Sequence, residues 1–298
     1  MIDVAIFAYN RPDYLKNCVE SVERHIPGAR LRVHDDASTD PEMRAYLATL
    51  GERAVLRPAS DAARHGGLYA NMNAALDRAE HDIILMLQDD TQVVRDLTPD
   101  DLFRIEGLFQ ADTNRAFVSP LFMKADRMRR FRRELRPDPA ARAYVSPPDH
   151  PRTQRHCLAY FDVHMARVDR LRAAGWRYDA AGEGTIGNHA RELFGPMPMM
   201  ADPFVFFCPE VPFFRNRDKK TLASRIAGRF VGRHVKAFED MGQREIARLI
   251  SRDLSVWPVA ENFLTPKDPR VVRPFVYKDV KARGWLYALH KIEQALRG

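Results

Sequence analysis

Cysteine is scarce: Cys18, Cys157 and Cys208 are the three in 298 residues, odd in number and scattered. They offer neither a disulfide framework nor metal-ligand spacing, and the plain reading is reduced, buried thiols. No stretch approaches the roughly 20 unbroken apolar residues of a membrane-spanning helix. Met1-Ile-Asp-Val-Ala-Ile-Phe7 enters a strand-like run without the basic region of a signal peptide, so a cytoplasmic protein is expected. No internal repeat is visible. The first apolar run leads into Tyr9-Asn10-Arg11-Pro12, not G-x-G-x-x-G, which argues against a dinucleotide-dependent dehydrogenase. A P-loop is missing too, as is the glycine-rich N-terminal loop of the sugar nucleotidyltransferases.

What the chain has is ordinary globular composition, 45% apolar and 29% charged, with a net charge of +7. An excess of that sign suits polyanions: phosphorylated substrates, an anionic membrane or nucleic acid.

Strand-like and helix-like segments alternate through the first ninety residues. Val4–Ala8 is a short apolar run, and Leu15, Val19 and Val22 then fall at helical spacing up to His25. Pro27-Gly28 ends that helix, and Leu31–His34 forms a second strand leading into Asp35-Asp36-Ala-Ser-Thr-Asp40. Pro41 opens a second helix over Glu42–Leu50, and Ala54–Leu56 is a third strand. Arg64-His-Gly-Gly67 leads to a third helix with Leu68, Met72, Ala75, Leu76 and Ala79 on one face.

Ile83–Leu87 is continuously apolar, as a central parallel strand covered on both faces must be. It ends in Gln88-Asp89-Asp90. Right-handed crossovers between such units give a mostly parallel, Rossmann-like sheet flanked by helices. Ligands of open α/β sheets bind beyond the carboxyl ends of the strands. Tyr9-Asn10, Asp35-Asp36 and Asp89-Asp90 should therefore meet there in a nucleotide-sized site. Paired acids in that place suit a divalent cation carrying a diphosphate; acids also cap helices and make turns.

Phe7-Ala-Tyr-Asn-Arg-Pro12, Val33-His-Asp-Asp-Ala-Ser-Thr-Asp40, the glycine loop leading to Asn71-Met-Asn73, and Leu87-Gln-Asp-Asp90 resemble, in that order, the motifs of the GT-A glycosyltransferases, particularly family 2. The resemblance is strongest over residues 1–95 and fades towards 195. It implies a GT-A domain over residues 1–215, with a nucleotide-sugar half (1–95) and an acceptor half (96–215), followed by a helical C-terminal region (216–298). It implies transfer from a nucleotide sugar, UDP-linked by preference, to a saccharide or lipid-linked acceptor, with inversion and with Mn²⁺ or Mg²⁺, as in surface-polysaccharide assembly. Asp36 then resembles the acid that reads the base, with Asp35 beside it, and Tyr9 and Asn10 lie in the loop against base or ribose. Asp90 resembles the metal-binding acid, with Asp89 towards metal or ribose, and Arg64 helps to hold the donor. Gln88 replaces the acid often found first in the motif.

The family often carries a Glu-Asp pair after a segment like Ala173-Ala-Gly-Trp-Arg-Tyr-Asp179. Here Ala180-Ala-Gly-Glu-Gly-Thr-Ile-Gly187 follows, with no such pair. Glu183 is the first candidate for the catalytic base, Asp179 the second and Asp162 the third; each also reads as a surface carboxylate. Some relatives complete the metal site with a late histidine, which makes His189 a candidate ligand, against the commoner structural role of a lone histidine.

Seven of the thirteen residues in Lys124–Arg136 are basic, and five prolines follow in Pro137–Pro151, so 124–151 reads as a basic loop or lid. Downstream, Leu222, Ile226 and Phe230 form a helical apolar stripe with Arg225, Arg229 and Arg233 beside it. That pattern fits packing on the catalytic domain or peripheral contact with an anionic bilayer. Two alternatives stand next to sugar transfer in polysaccharide assembly: transfer to modified nucleic acid, and a GT-A scaffold that binds without catalysing.

Overall fold

The computed structural model describes residues 1–57, 66–147, 158–179, 182–209, 211, 222–223, 226, 234–271, 273–276 and 284–295. The chain alternates as its pattern requires: β1 (Asp3–Ala8), α1 (Pro12–His25), β2 (Arg30–Asp35), α2 (Pro41–Thr49), β3 (Ala54–Leu56), α3 (Gly66–Arg78) and β4 (Ile83–Gln88). Local chemistry fixes the helix ends. Pro12 stands in the first turn of α1, where a missing N–H costs nothing. Asp40 caps α2, its Oδ1 accepting from the amides of Glu42 (3.0 Å) and Met43 (3.2 Å). Arg172 closes the far end of α3, donating to the carbonyls of Leu76 (2.8 Å) and Ala79 (2.9 Å).

Then follow β5 (Thr91–Val93), α4 (Pro99–Gln110), β6 (Phe117–Val118), α5 (Met128–Glu134), β7 (Arg136–Asp138), β8 (Ala143–Val145), β9 (His164–Arg167), α6 (Val168–Ala173), α7 (Glu183–Leu193), β10 (Met199–Met200) and β11 (Val205–Phe207). The main sheet runs β3-β2-β1-β4-β9-β6. Its first four strands are parallel, and β9 lies antiparallel between β4 and β6. The switch at β9 matters for the site. In the ladder Met86 pairs with His164, so the residues just before β9 reach the same edge as the end of β4.

Alternation along the strands divides the core. Ala5, Phe7, Ile84 and Met86 face α3, with Met72, Leu76, Phe117, Leu171, Trp176 and Ile186. Val4, Ile6, Ile83, Leu85 and Leu87 face the other side, with Leu15, Val19, Val22, Met43 and Leu47. Helices on both faces are what oblige β4 to be apolar at every position from Ile83 to Leu87. Each such side chain contributes about 1.5–3 kcal/mol when fully buried.

One expectation changes here. The proline-rich stretch after Arg136 is not a plain loop: β7 and β8 form an antiparallel hairpin, joined by β10 into a second sheet. Residues 148–157, the rest of that stretch and Cys157, lie outside the described residues. Farther on, residues 234–264 pack into the body. Phe238, Met241, Leu249, Ala260 and Phe263 share a cluster with Val94, Phe122 and Phe206. Gln92 pins the segment, its Nε2 donating to the Phe238 carbonyl (2.8 Å) and its Oε1 accepting from the Phe238 amide (2.9 Å). Helices at Gln243–Ser251, Ala260–Phe263 and Gly284–Ala295 make this region helical. Of the predicted Leu222/Ile226/Phe230 stripe, Ile226 packs near Leu286 and Leu222 is exposed. Phe230, Arg225, Arg229 and Arg233 lie outside the described residues. No described helix is long and apolar enough to cross a membrane.

Candidate active site

The loops after β1, β2 and β4 meet at the carboxyl edge of the sheet. Asn10 adopts φ 53° and joins the first loop to the second. Its Oδ1 accepts from the amides of Thr39 (2.7 Å) and Asp40 (2.9 Å), and its own amide donates to Ser38 Oγ (2.9 Å). Asp35 accepts from the Ser38 amide (2.8 Å) and hydroxyl (2.5 Å). Asn10 and Asp35, both candidates for donor contact, therefore serve the loop frame. The reason is that two consecutive tight turns leave backbone amides which short polar side chains satisfy best.

Asp36 is the member of its pair whose carboxylate turns towards α3. Its amide donates to the Ala8 carbonyl (3.0 Å), and its carboxylate lies 3.7 Å from Arg57 Nη1 and directly over Gly67 at the start of α3. A Cβ on Gly67 would overlap that carboxylate, so only glycine leaves Asp36 in place.

Asp89 and Asp90 are closed to solvent. Arg11 spans them: its Nε donates to Asp89 Oδ2 (3.1 Å), its Nη1 to Asp90 Oδ2 (2.7 Å) and its Nη2 to Asp89 Oδ1. The Tyr9 amide adds a bond to Asp89 Oδ2 (3.3 Å), and the Asp90 carbonyl accepts from the Cys208 amide (2.8 Å). Burial raises the Asp89 carboxyl above the usual carboxylate range; Arg11 opposes the shift and the neighbouring Asp90 adds to it. Lys124 approaches from the far side, its ammonium 5.2 Å and 5.1 Å from the ring centres of Phe206 and Phe207. Burial lowers its pKa, while Asp126, Glu261 and Asp90 pull it upward.

The two acids fit a hard divalent cation in kind, since adjacent carboxylates are its preferred donors. Arg11 serves as a stand-in: the pair already holds one positive group between its members. Among the described residues no set of three His, Cys, Asp or Glu side chains gathers as a metal cage. His189 stacks on Trp176 with ring centres 5.0 Å apart, on the exposed side of α7. Its observed contact is thus an aromatic face, and α7 is anchored through it to the core around Trp176. Arg64 lies outside the described residues.

A second acidic cluster faces the same edge. Asp162 stands two residues before His164, in line with Gln88 if the ladder is continued. Its Oδ2 lies 3.4 Å from the Tyr69 hydroxyl, and the Tyr160 hydroxyl also hydrogen-bonds the carboxyl, both favouring its charged form. Burial, with the charge of Glu183 next, pushes the Asp162 carboxyl up to about 7. Glu183 opens α7, and its Oε1 accepts from the Asp162 amide (3.3 Å). Gly182 before it has φ 114°, a conformation that admits glycine and lets the helix start there. Asp179 is exposed beyond Tyr178 and is not brought into this pair. Of the three candidate bases, the structure joins Glu183 and Asp162.

The basic run has a divided fate. Arg130 and Arg133 pair with the buried Glu134, Arg136 caps α5 through the Arg132 carbonyl (2.7 Å), and Arg127, Arg129 and Arg132 are exposed. Cys18 and Cys208 are free, buried thiols. Arg11, Tyr69, Gly67 and Lys124 were not singled out by sequence pattern. Arg11 was visible as a cation in a strand-end loop; Tyr69 carries no motif and lies outside the apolar face read for α3.

The sequence signature described as Glycosyl transferase family 2 matches residues 3–161, more than half of the chain. The chain belongs to glycosyl transferase family 2. No curated protein sequence matches this glycosyltransferase significantly. Solved structures similar in fold include S. aureus TarS 1–349, at 14% identity and TM-score 0.47, covering 69% of this chain and 59% of that one. Full-length S. aureus TarS aligns at 12% identity and TM-score 0.46, covering 84% of this chain and 42% of that one. TarS 1–349 in complex with UDP-GlcNAc aligns at 12% and 0.46, covering 87% and 74%. The chain spans about six tenths of the first of these and less than half of full-length TarS. The GT-A architecture of this family-2 enzyme is its mainly parallel sheet with helices on both faces.

Proposed function

We propose that this glycosyltransferase moves a sugar from a UDP-linked donor to an acceptor hydroxyl with inversion, at the edge where Asp36, Asp89 and Asp90 converge. The observation that carries the reading is that convergence together with the Asp162–Glu183 pair on the neighbouring strand end. Asp36 accepts from a base that presents a ring N–H, as uracil does. Asp89 and Asp90 would hold Mn²⁺ or Mg²⁺. When bound, the ion neutralises charge developing on the diphosphate leaving group. The acceptor oxygen attacks the anomeric carbon as the bond to the diphosphate oxygen breaks, through a transition state with oxocarbenium character. The acceptor proton passes to a carboxylate of the Asp162–Glu183 pair. Asp162 suits that role, because a carboxylate raised to about 7 by burial is a stronger base than an exposed one. Acceptors of saccharide or lipid-linked type, as in surface-polysaccharide assembly, match the positive charge of the chain.

The test is a thermal-shift panel of nucleoside diphosphates and their sugars, with and without Mn²⁺, on wild type and Asp90→Ala. A ligand that binds only the folded state stabilises by about 2.7 kcal/mol at a hundredfold excess over its Kd. The expected result is a Mn²⁺-dependent shift with uridine nucleotides, lost in Asp90→Ala. No shift with any nucleotide would overturn the reading in favour of a non-catalytic scaffold.

A further inference from the structure

Arg11 sits where two binding events intersect. Its guanidinium contacts both acids of the Asp89–Asp90 pair, which have 0% side-chain exposure, while Arg11 itself retains 16%. The guanidinium thus stands between the acids and the solvent. It projects from the residue just before α1, at the mouth of the Tyr9–Pro12 loop, so a change of side-chain rotamer can move its head without moving the helix. A buried pair of carboxylates is costly when both are charged and the guanidinium between them is withdrawn, so arrival of another cation eases the departure of Arg11. A planar guanidinium also binds phosphate bidentately, as well as it binds carboxylate.

We propose that Arg11 is an exchangeable counter-cation that couples metal binding to nucleotide binding. This rests on the donor-site reading above. A divalent ion arriving alone has to displace the guanidinium into solvent. A nucleoside diphosphate arriving with the ion gives the guanidinium a new anion to hold, so each ligand eases entry of the other. Linkage makes the effect reciprocal: the factor by which nucleotide tightens metal equals the factor by which metal tightens nucleotide. Lys124, a second cation near Asp90, lies over the rings of Phe206 and Phe207.

The measurement is calorimetric and spin-resonance titration of Mn²⁺ alone, UDP alone and both together, on wild type, Arg11→Gln and Arg11→Lys. In wild type, UDP should tighten Mn²⁺ by about tenfold or more. Arg11→Gln should bind Mn²⁺ alone about tenfold more tightly than wild type, bind UDP alone more weakly, and show coupling about tenfold smaller than wild type, the remainder being direct contact of diphosphate with the ion. Mn²⁺ alone should also raise the melting temperature of Arg11→Gln more than that of wild type, because it refills the vacated charge. Should Arg11→Gln fail to fold, Arg11→Lys carries the comparison: the charge stays and the fork is lost, so its coupling should fall between the two. Unchanged or weaker Mn²⁺ affinity in the variants, with wild-type coupling retained, would make Arg11 a fixed strut and overturn the proposal. Wild type that binds UDP without any Mn²⁺ coupling would also overturn it while leaving the donor site standing. Wild type that binds UDP neither with nor without Mn²⁺ would overturn the donor reading itself.

Discussion

Gly67 and Asp36 hold one another in place. Gly67→Ala adds a methyl group where the Asp36 carboxylate lies, and the carboxylate is the easier of the two to move. Alanine favours a helix over glycine, which offsets part of the cost of displacing the carboxylate, so the variant should melt close to wild type. If Asp36 reads the base, as proposed, the variant's affinity for the nucleotide should nevertheless fall at least about tenfold, since that carboxylate is turned away. A melting curve and a nucleotide titration on one sample check both halves. Asp162 gives a prediction in pH. Its folded pKa of about 7 exceeds its ordinary value of 3.8, so the folded state keeps a proton that the unfolded state has released. The group's contribution to stability is therefore fullest below about 4 and is lost as pH rises through about 7. Asp162→Asn should gain stability relative to wild type across that window, by on the order of 1–3 kcal/mol. If Asp162 is the base, wild-type kcat/KM should rise with pH through about 7 and Asp162→Asn should be inactive. Glu183→Gln should retain the rise if Glu183 only positions Asp162. A rise that survives in Asp162→Asn with activity intact, and is lost in Glu183→Gln, would transfer the role to Glu183.

At the scale of elements, legibility followed periodicity and punctuation. Strand β4 could be read because adjacent positions covered on both faces leave no room for a polar residue before Gln88. Helix α1 could be read from its buried 3–4 spacing, and α2 from Asp40 and Pro41 at its start. The β7–β8 hairpin could not, because its strands are three residues each and Pro137 sits inside one of them. Pairing with β10, more than fifty residues away, makes this sheet, and no local pattern encodes such a partner. The start of α7 was hidden for another reason: Gly182 and Gly184 around Glu183 look like a loop until Gly182 is seen at φ 114° with the helix beginning next to it.

At the scale of the whole molecule, one buried acid ties three regions together. Asp202 accepts from Arg142 Nε (2.9 Å) and Nη2 (2.7 Å), Arg252 Nη1 (3.1 Å) and Arg104 Nη1 (3.2 Å). These arginines come from the β7–β8 turn, the segment after the Gln243–Ser251 helix, and α4. Asp202→Ala should destabilise the chain by about 3 kcal/mol, because it takes the buried acid from Arg252, which is almost fully buried, and from the partly exposed Arg104 and Arg142, yet leave nucleotide affinity unchanged. Denaturant unfolding with a parallel nucleotide titration checks it; equal losses in both would mean that the anchor also shapes the site. The sequence by itself determined the alternating half, the sheet edge where the loops after β1, β2 and β4 must meet, and the family. Those depend on local periodicity and on the fixed hand of the crossovers. Only the tertiary structure decided which acids reach the site. The Asp36 carboxylate lies over Gly67, while Asp35 and the side-chain amide of Asn10 accept from turn amides. It also decided that Arg11 lies across Asp89 and Asp90 and that Asp162 meets Glu183, because contacts between side chains far apart in sequence exist only once the chain has folded.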